Sequence, residues 1–249
     1  MNEGALFFAL AVPAVILLGL AKGGFAGMGA LSLPMLALAI SPVRAAAILL
    51  PILIVQDVVG VWAFRKSWDR YVLAWTLPGA AIGIALGYWF AAEVSPDAVL
   101  GLVGAISLVF GGYRLWRERG HAVAAAANAP GWVGALCGVA SGFTSQVAHA
   151  GQPPFQLWVL PRRLPRDVLV GTTAIFFAAV NWIKVPAYWA LGQFDRANLV
   201  AAGLLMPVAI LSTLAGVWLV RRIAPERFYT AIYVLMMLVG GKLIWDAAF

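Results

Sequence analysis

Residues 19–34 read GLAKGGFAGMGALSLP, and residues 138–154 read GVASGFTSQVAHAGQPP. At an offset of 119, Gly19-Leu20-Ala21-Lys22-Gly23 meets Gly138-Val139-Ala140-Ser141-Gly142, and Pro34 meets Pro153. Working outward, Trp68-Asp69-Arg70 matches Phe194-Asp195-Arg196 at offset 126. Trp89 and Trp218, Pro96 and Pro225, Gly111-Gly112 and Gly240-Gly241, and Trp116 and Trp245 all match at 129. Single Gly or Pro matches are easy by chance, but ordered matches that include aromatic pairs are not. They predict one domain, 1–249, made of two repeats, 1–116 and 131–249, joined by a polar and alanine-rich linker, 117–130.

The repeats are apolar. Hydrophobic residues make up 63% of the chain and charged residues 11%, with a mean hydropathy of +0.92, against about half and about a quarter in a soluble domain. Apolar runs fall at 5–21, 24–40, 45–64, 72–91 and 98–113, then at 131–148, 154–160, 168–191, 198–220 and 228–245. A chain in lipid must satisfy its own backbone hydrogen bonds, and these runs are too long for barrel strands. The fold class predicted is an all-α integral membrane protein with eight to ten membrane helices. Met1-Asn2-Glu3 lacks the basic start of a signal peptide, so the first run reads as a retained membrane segment. The lone Cys137 excludes a disulfide framework.

The net charge is +7. The basic residues cluster between apolar runs, which fits the positive-inside rule and not nucleic-acid binding. Arg65, Lys66 and Arg70 form one basic loop, and Arg114, Arg117 and Arg119 a second. Arg162, Arg163 and Arg166 form a third, and Arg221, Arg222 and Arg227 a fourth. All four are assigned to the cytoplasm, and both termini to the opposite side. Each half then reads as a broken or re-entrant hairpin plus three helices. That is an odd number of crossings, so the second half inserts upside down. Inverted repeats of this kind are a transporter architecture, with the substrate site near mid-membrane at the repeat interface.

The first hairpin tip, Lys22-Gly23-Gly24-Phe25-Ala26-Gly27-Met28-Gly29, carries four glycines in eight residues beside a lysine. The glycines suit close helix packing with a snorkelling lysine. They equally suit broken helix ends whose N–H groups, with Lys22, hold an anion. The second tip gathers Ser141, Thr144, Ser145, Gln146, His149 and Gln152 ahead of Pro153-Pro154. Polar residues at membrane depth commonly line a pathway, although His149 also reads as a satisfied interior histidine or a proton carrier. Candidate substrate-binding residues are therefore Lys22, Gly23, Gly24, Gly27, Ser141, Thr144, Ser145, Gln146, His149 and Gln152.

Further polar residues interrupt the apolar runs. Asp57 follows Gln56, and its repeat partner at offset 124 is Asn181, with Lys184 three residues on. Asp57 and Lys184 fit a structural ion pair, or they border the pathway. Thr172 and Thr173 begin the same helix. These six are the candidate coupling or pathway residues. No catalytic residue, cofactor or metal-ligand cluster is called for.

The stretch GLAKGGFAGMGALSLP resembles the first glycine-rich motif of the sulfite exporter TauE/SafE family. SPVRAAAILLPILIVQD, at 41–57, resembles that family's next helix. The resemblance implies a multi-pass protein of the bacterial inner membrane that transports sulfite, sulfoacetate or another organosulfonate or organic anion, with protons as a candidate partner. The second half keeps Gly138, Gly142, Gly151 and Pro153 but replaces the expected glycine cluster with Thr144-Ser145-Gln146-Val147-Ala148-His149. The rival readings are a cation or metal permease, a non-transporting membrane subunit, and an intramembrane lipid-processing enzyme. Neither tip holds the Arg or carboxylate that such an enzyme needs, and Asp57 is the one deep carboxylate available to a cation.

Overall fold

The computed structural model describes residues 3–23, 28–93, 95–118, 129–219 and 226–249. Its elements are α1 (Glu3–Lys22), a 3-10 turn (Met28–Leu31), α2 (Ser32–Ala37), α3 (Pro42–Phe64), α4 (Arg70–Glu93) and α5 (Pro96–Glu118). The second half has α6 (Gly131–Ala148), α7 (Gln152–Val159) running into a 3-10 turn (Leu160–Arg162), α8 (Arg166–Ala190), α9 (Arg196–Leu219) and α10 (Glu226–Ala248). No strand occurs among the described residues. Six of these helices are long and apolar enough to cross a membrane by length and composition: α1, α3, α4, α5, α8 and α9. Their outer faces expose Val58, Trp62, Val109, Leu204 and Leu211, a surface suited to lipid and not to water. The protein is a multi-pass, all-helical membrane protein.

Local chemistry sets the helix starts. Ser41 Oγ accepts from Arg44 N at 3.4 Å with Pro42 at the first helical position. Asp69 caps α4 through Val72 N at 2.9 Å, and Asp195 caps α9 through Asn198 N at 2.7 Å. A side-chain oxygen just ahead of a helix satisfies an N–H that has no partner within the helix. The matched Asp-Arg pairs at 69–70 and 195–196 therefore do one job twice.

The glycines of the repeat do their work between helices. A Cβ on Gly19 would lie 2.0 Å from Ser212 Oγ, and one on Gly23 would lie 2.4 Å from the Gly216 backbone, so α1 and α9 touch backbone to backbone. Gly83 would meet Val139 O at 2.0 Å and Gly142 would meet Ala80 O at 2.1 Å, which gives α4 and α6 the same close contact. Small residues at four-residue spacing let membrane helices approach this way. Of the two readings of the first tip, close packing is the one that Gly19 and Gly23 serve, and α1 ends at Lys22, where the tip is expected to begin. Gly24 and Gly27 lie outside the described residues.

The packing keeps its form when the two halves are exchanged. α1 lies on α9 as α6 lies on α4, α3 touches α9 as α8 touches α4, and α3–α8 and α5–α10 pair across the halves. α3 and α8 thus occupy the middle, with the two hairpins on either side. The second hairpin follows the expected runs, with α6 ending where the run 131–148 ends. Ser141 to Ala148 are helical, and the chain breaks only at His149-Ala150-Gly151. His149 takes the left-handed conformation (φ 50°), and Ala150 N closes the end of α6 on Thr144 O at 3.2 Å. Arg114 and Arg117, expected in a loop, belong to α5, which extends into the expected linker as far as Glu118. Residues 119–128 and 220–225, with Arg119, Arg221 and Arg222, lie outside the described residues.

Candidate functional site

Two polar clusters sit where the hairpin ends meet α3 and α8. In the first, Lys22, the last residue of α1, pairs with Asp57 on α3. Asn181 Nδ2 on α8 donates to the other carboxylate oxygen at 2.6 Å. Lys22 Nζ also lies 5.5 Å from the centre of the Phe177 ring, within cation–π range. Asp57 is thus held by one residue from each half. A buried carboxylate needs such partners, because loss of its hydration is costly.

The second cluster is built on Lys184, which is wholly buried. Its Nζ lies 2.8 Å from His149 Nδ1 and 3.3 Å from both Ser145 O and Ser145 Oγ. His149 Nε2 lies 3.0 Å from Ala46 O on α3. A carbonyl only accepts, so Nε2 carries the hydrogen and Nδ1 accepts from Lys184. Among the described residues no carboxylate bonds Lys184. Of the two readings of Asp57 and Lys184, the ion pair is therefore corrected: Asp57 pairs with Lys22. Lys184 lies one turn beyond Asn181, and that turn carries it to the second hairpin instead of to Asp57.

Between the clusters lies a cavity of about 130 Å³. Lys22, Ser145, His149, Gln152, Thr173 and Asn181 supply its polar wall, and Leu18, Leu53 and Phe177 are among its apolar residues. One water needs roughly 10–15 Å³ of such space, so a small oxyanion fits with water. Lys22 and Lys184 bring two formal positive charges against the one negative charge of Asp57. The formal surplus is positive, and the Ser145 hydroxyl and the Gln152 and Asn181 amides can turn O–H or N–H donors inward, whereas the Thr173 hydroxyl donates to Leu169 O at 2.7 Å and His149 Nε2 to Ala46 O. This arrangement can hold an anion.

Six of the sixteen expected residues thus share one wall. Asp57 and Lys184 stand directly behind it. Gly23 packs on α9. Ser141 Oγ donates to Gly151 O at 2.6 Å, which clamps the hairpin end, and Thr144 Oγ1 donates to Ala140 O of its own helix at 2.8 Å. Thr172 Oγ1 accepts from Asp69 N at 2.8 Å and so serves the start of α4. Gln56 reaches Ala209 O at 3.5 Å on α9, away from the cavity. Gln146 also faces away from it, and Tyr188 Oη donates to its carbonyl at 3.0 Å. The second tip offers side chains and not a full set of backbone donors. Pro153 and Pro154 occupy the first turn of α7 and have no N–H to offer.

Sequence reasoning missed Gln156, which lines the cavity one helical turn after Gln152. Its Oε1 lies 3.4 Å from Arg114 Nη1, and Arg114 Nε donates to Tyr233 Oη at 2.9 Å. The i,i+4 spacing of the two glutamines was the available signal.

No curated protein and no solved structure matches the chain. A family model described as Sulfite exporter TauE/SafE matches residues 11–243, which takes in both hairpins, the α3–α8 pair and the cavity between them. Over nearly its whole length, this chain belongs to the sulfite exporter TauE/SafE family, a family of membrane transporters.

Proposed function

We propose that this protein exports a small sulfur-containing anion across the bacterial inner membrane: sulfite, sulfoacetate or another organosulfonate or organic anion. The observation that carries the reading is the positively biased cavity between the hairpin ends, with Lys22 on one side and Lys184 behind Ser145 and His149 on the other. A cation would meet the surplus positive charge. An anion meets it with complementary charge and several hydrogen-bond donors.

The two halves act as inverted repeats around this cavity, a reading supported by the packing that survives their exchange. Lys22, Ser145, His149, Gln152, Gln156, Thr173 and Asn181 contact the anion, while Asp57 fixes Lys22. The basic loops stay in the cytoplasm and both termini face the periplasm. In that orientation the part of the cavity lined by Leu160, Leu169 and Val170, next to the basic loop at 162–166, lies toward the cytoplasm. Movement of one repeat against the other then exposes the site to the far side. An inside-negative potential favours anion exit by about 2.3 kcal/mol per charge per 100 mV, so export needs no coupling ion. A thermal-stability series with sulfite, sulfoacetate, taurine, sulfate and divalent metals tests the cargo. The expected result is a raised melting temperature with sulfite or a sulfonate, and stabilisation by metals alone would overturn the anion reading.

A further inference from the structure

A second, smaller cavity of about 20 Å³ lies further along the helices that line the first. The two are strung along the same pair of helix faces. On α8, Thr173, Phe177 and Asn181 line the first cavity, Lys184 is buried between, and Tyr188 and Leu191 line the second. On α3, Leu53 lines the first, and Ala46 and Val43 line the second. Steps of three or four residues, and of seven across α3, keep each series on one side of its helix. From Asn181 to Tyr188 the separation along α8 is only about 10 Å, at 1.5 Å per residue.

The end of α6 separates the two spaces. Ser145 and His149 face the first, and Gln146 and Val147 face the second. Three contacts pin this segment. Lys184 Nζ donates to His149 Nδ1 at 2.8 Å, His149 Nε2 donates to Ala46 O at 3.0 Å, and Tyr188 Oη donates to Gln146 O at 3.0 Å. The small cavity also carries an unmet need. Gln146 Oε1 and Gln193 Oε1 are both buried without a hydrogen-bond partner, and both residues line it. Buried acceptors without a donor are uncommon and costly, and a space of this size admits about one water.

We propose that the small cavity is the closed far half of a single conduit, that the end of α6 is the gate across it, and that Gln146 and Gln193 form a polar station beyond the gate. When the gate is shut the station holds water. When it is open, the two amides can turn their NH2 groups to a departing oxyanion. An anion at the His149 end of the first cavity competes with His149 and Ser145 for the Lys184 ammonium, so its arrival loosens one of the three pins. The inference rests on the transport reading of the first cavity, but it does not depend on which anion is carried.

Side-specific thiol labelling tests the gate. The chain's one cysteine is removed by Cys137→Ala, and Thr173→Cys or Leu191→Cys is introduced into oriented vesicles. A membrane-impermeant thiol reagent should modify the two positions from opposite sides. Adding Tyr188→Phe, which deletes one pin and keeps the ring, should raise the rate at which Thr173→Cys reacts from the Leu191 side by about fivefold, as expected for one hydrogen bond. Labelling of both positions from one side, or a rate unmoved by Tyr188→Phe, would overturn the gate. If Tyr188→Phe does not fold, His149→Gln, which weakens the other two pins, serves the same comparison with the same two outcomes. Gln193→Leu tests the station: it should slow anion efflux while leaving anion-induced thermal stabilisation intact, and unchanged efflux would remove the station from the scheme. Sulfite efflux from vesicles that hold the Cys137→Ala protein, with Thr173 and Leu191 intact, separates the two levels. Opposite-side labelling without sulfite efflux keeps the gate and rejects that cargo, whereas sulfite efflux with same-side labelling keeps the cargo and rejects the gate.

Discussion

Lys22→Met should destabilise the protein far more than the double variant Lys22→Met/Asp57→Asn. In the wild type, Asp57 is 3% exposed and is held by Lys22 and by Asn181 Nδ2 at 2.6 Å. Removing the ammonium leaves a buried carboxylate with a neutral amide alone. Breaking a buried pair from one side costs about 3–5 kcal/mol. Asp57→Asn strands Lys22 instead. Lys22 borders the cavity, where water can reach it, so the loss should lie near the lower end of that range. The double variant removes both charges, and the Asn that replaces Asp57 can still accept from Asn181, so the expected cost is about 1 kcal/mol. The sum of the single losses would be roughly 6–8 kcal/mol, and the shortfall is the interaction energy of the pair. Reversible denaturant unfolding in mixed micelles, run on all four proteins, measures it. A double variant as unstable as that sum, or a Lys22→Met variant within about 0.5 kcal/mol of wild type, would refute the pairing of α1 with α3 through these two side chains.

Other outcomes follow from single contacts. Gly142→Ala pushes a methyl to within 2.1 Å of Ala80 O and should cost about 1–3 kcal/mol through forced separation of α4 and α6, whereas Gly203→Ala, with nothing within 4 Å, should stay within about 0.5 kcal/mol in the same unfolding assay. Gln152→Ala removes a cavity-wall donor and should weaken anion affinity at least about tenfold, the worth of a hydrogen bond to a charged group, as read by anion-dependent thermal shift. Thr144→Val should leave that affinity unchanged, because its hydroxyl is committed to Ala140 O. Thr172→Val strips Asp69 N of its acceptor at the start of α4 and should cost about 1 kcal/mol of stability with little effect on the anion.

The membrane class was legible because it rests on composition and run length, which tertiary packing cannot reverse. The repeat offset was informative at a finer level too. Asp57 and Asn181, matched at 124, meet at 2.6 Å. The glycines were harder, since glycine serves both a broken helix and a tight crossing. Which of the two applies at Gly19 and Gly23 depends on Ser212 and Gly216, about two hundred residues away in the chain. Within the second tip, helical spacing separates Ser145 and His149, four residues apart and facing the cavity, from Thr144. That sorting requires knowing that α6 continues to Ala148. The run 131–148 already ends where α6 ends, but the left-handed turn at His149 has no glycine to announce it.

The most direct test of the central claim is sulfite and organosulfonate efflux from proteoliposomes, compared between wild type and Gln152→Ala/Ser145→Ala. Saturable efflux of one of these anions by the wild type is expected, with at least about a tenfold loss of apparent affinity in the variant, since two donors to the anion are removed. Efflux with the same affinity in both proteins would contradict an anion held between the hairpin ends.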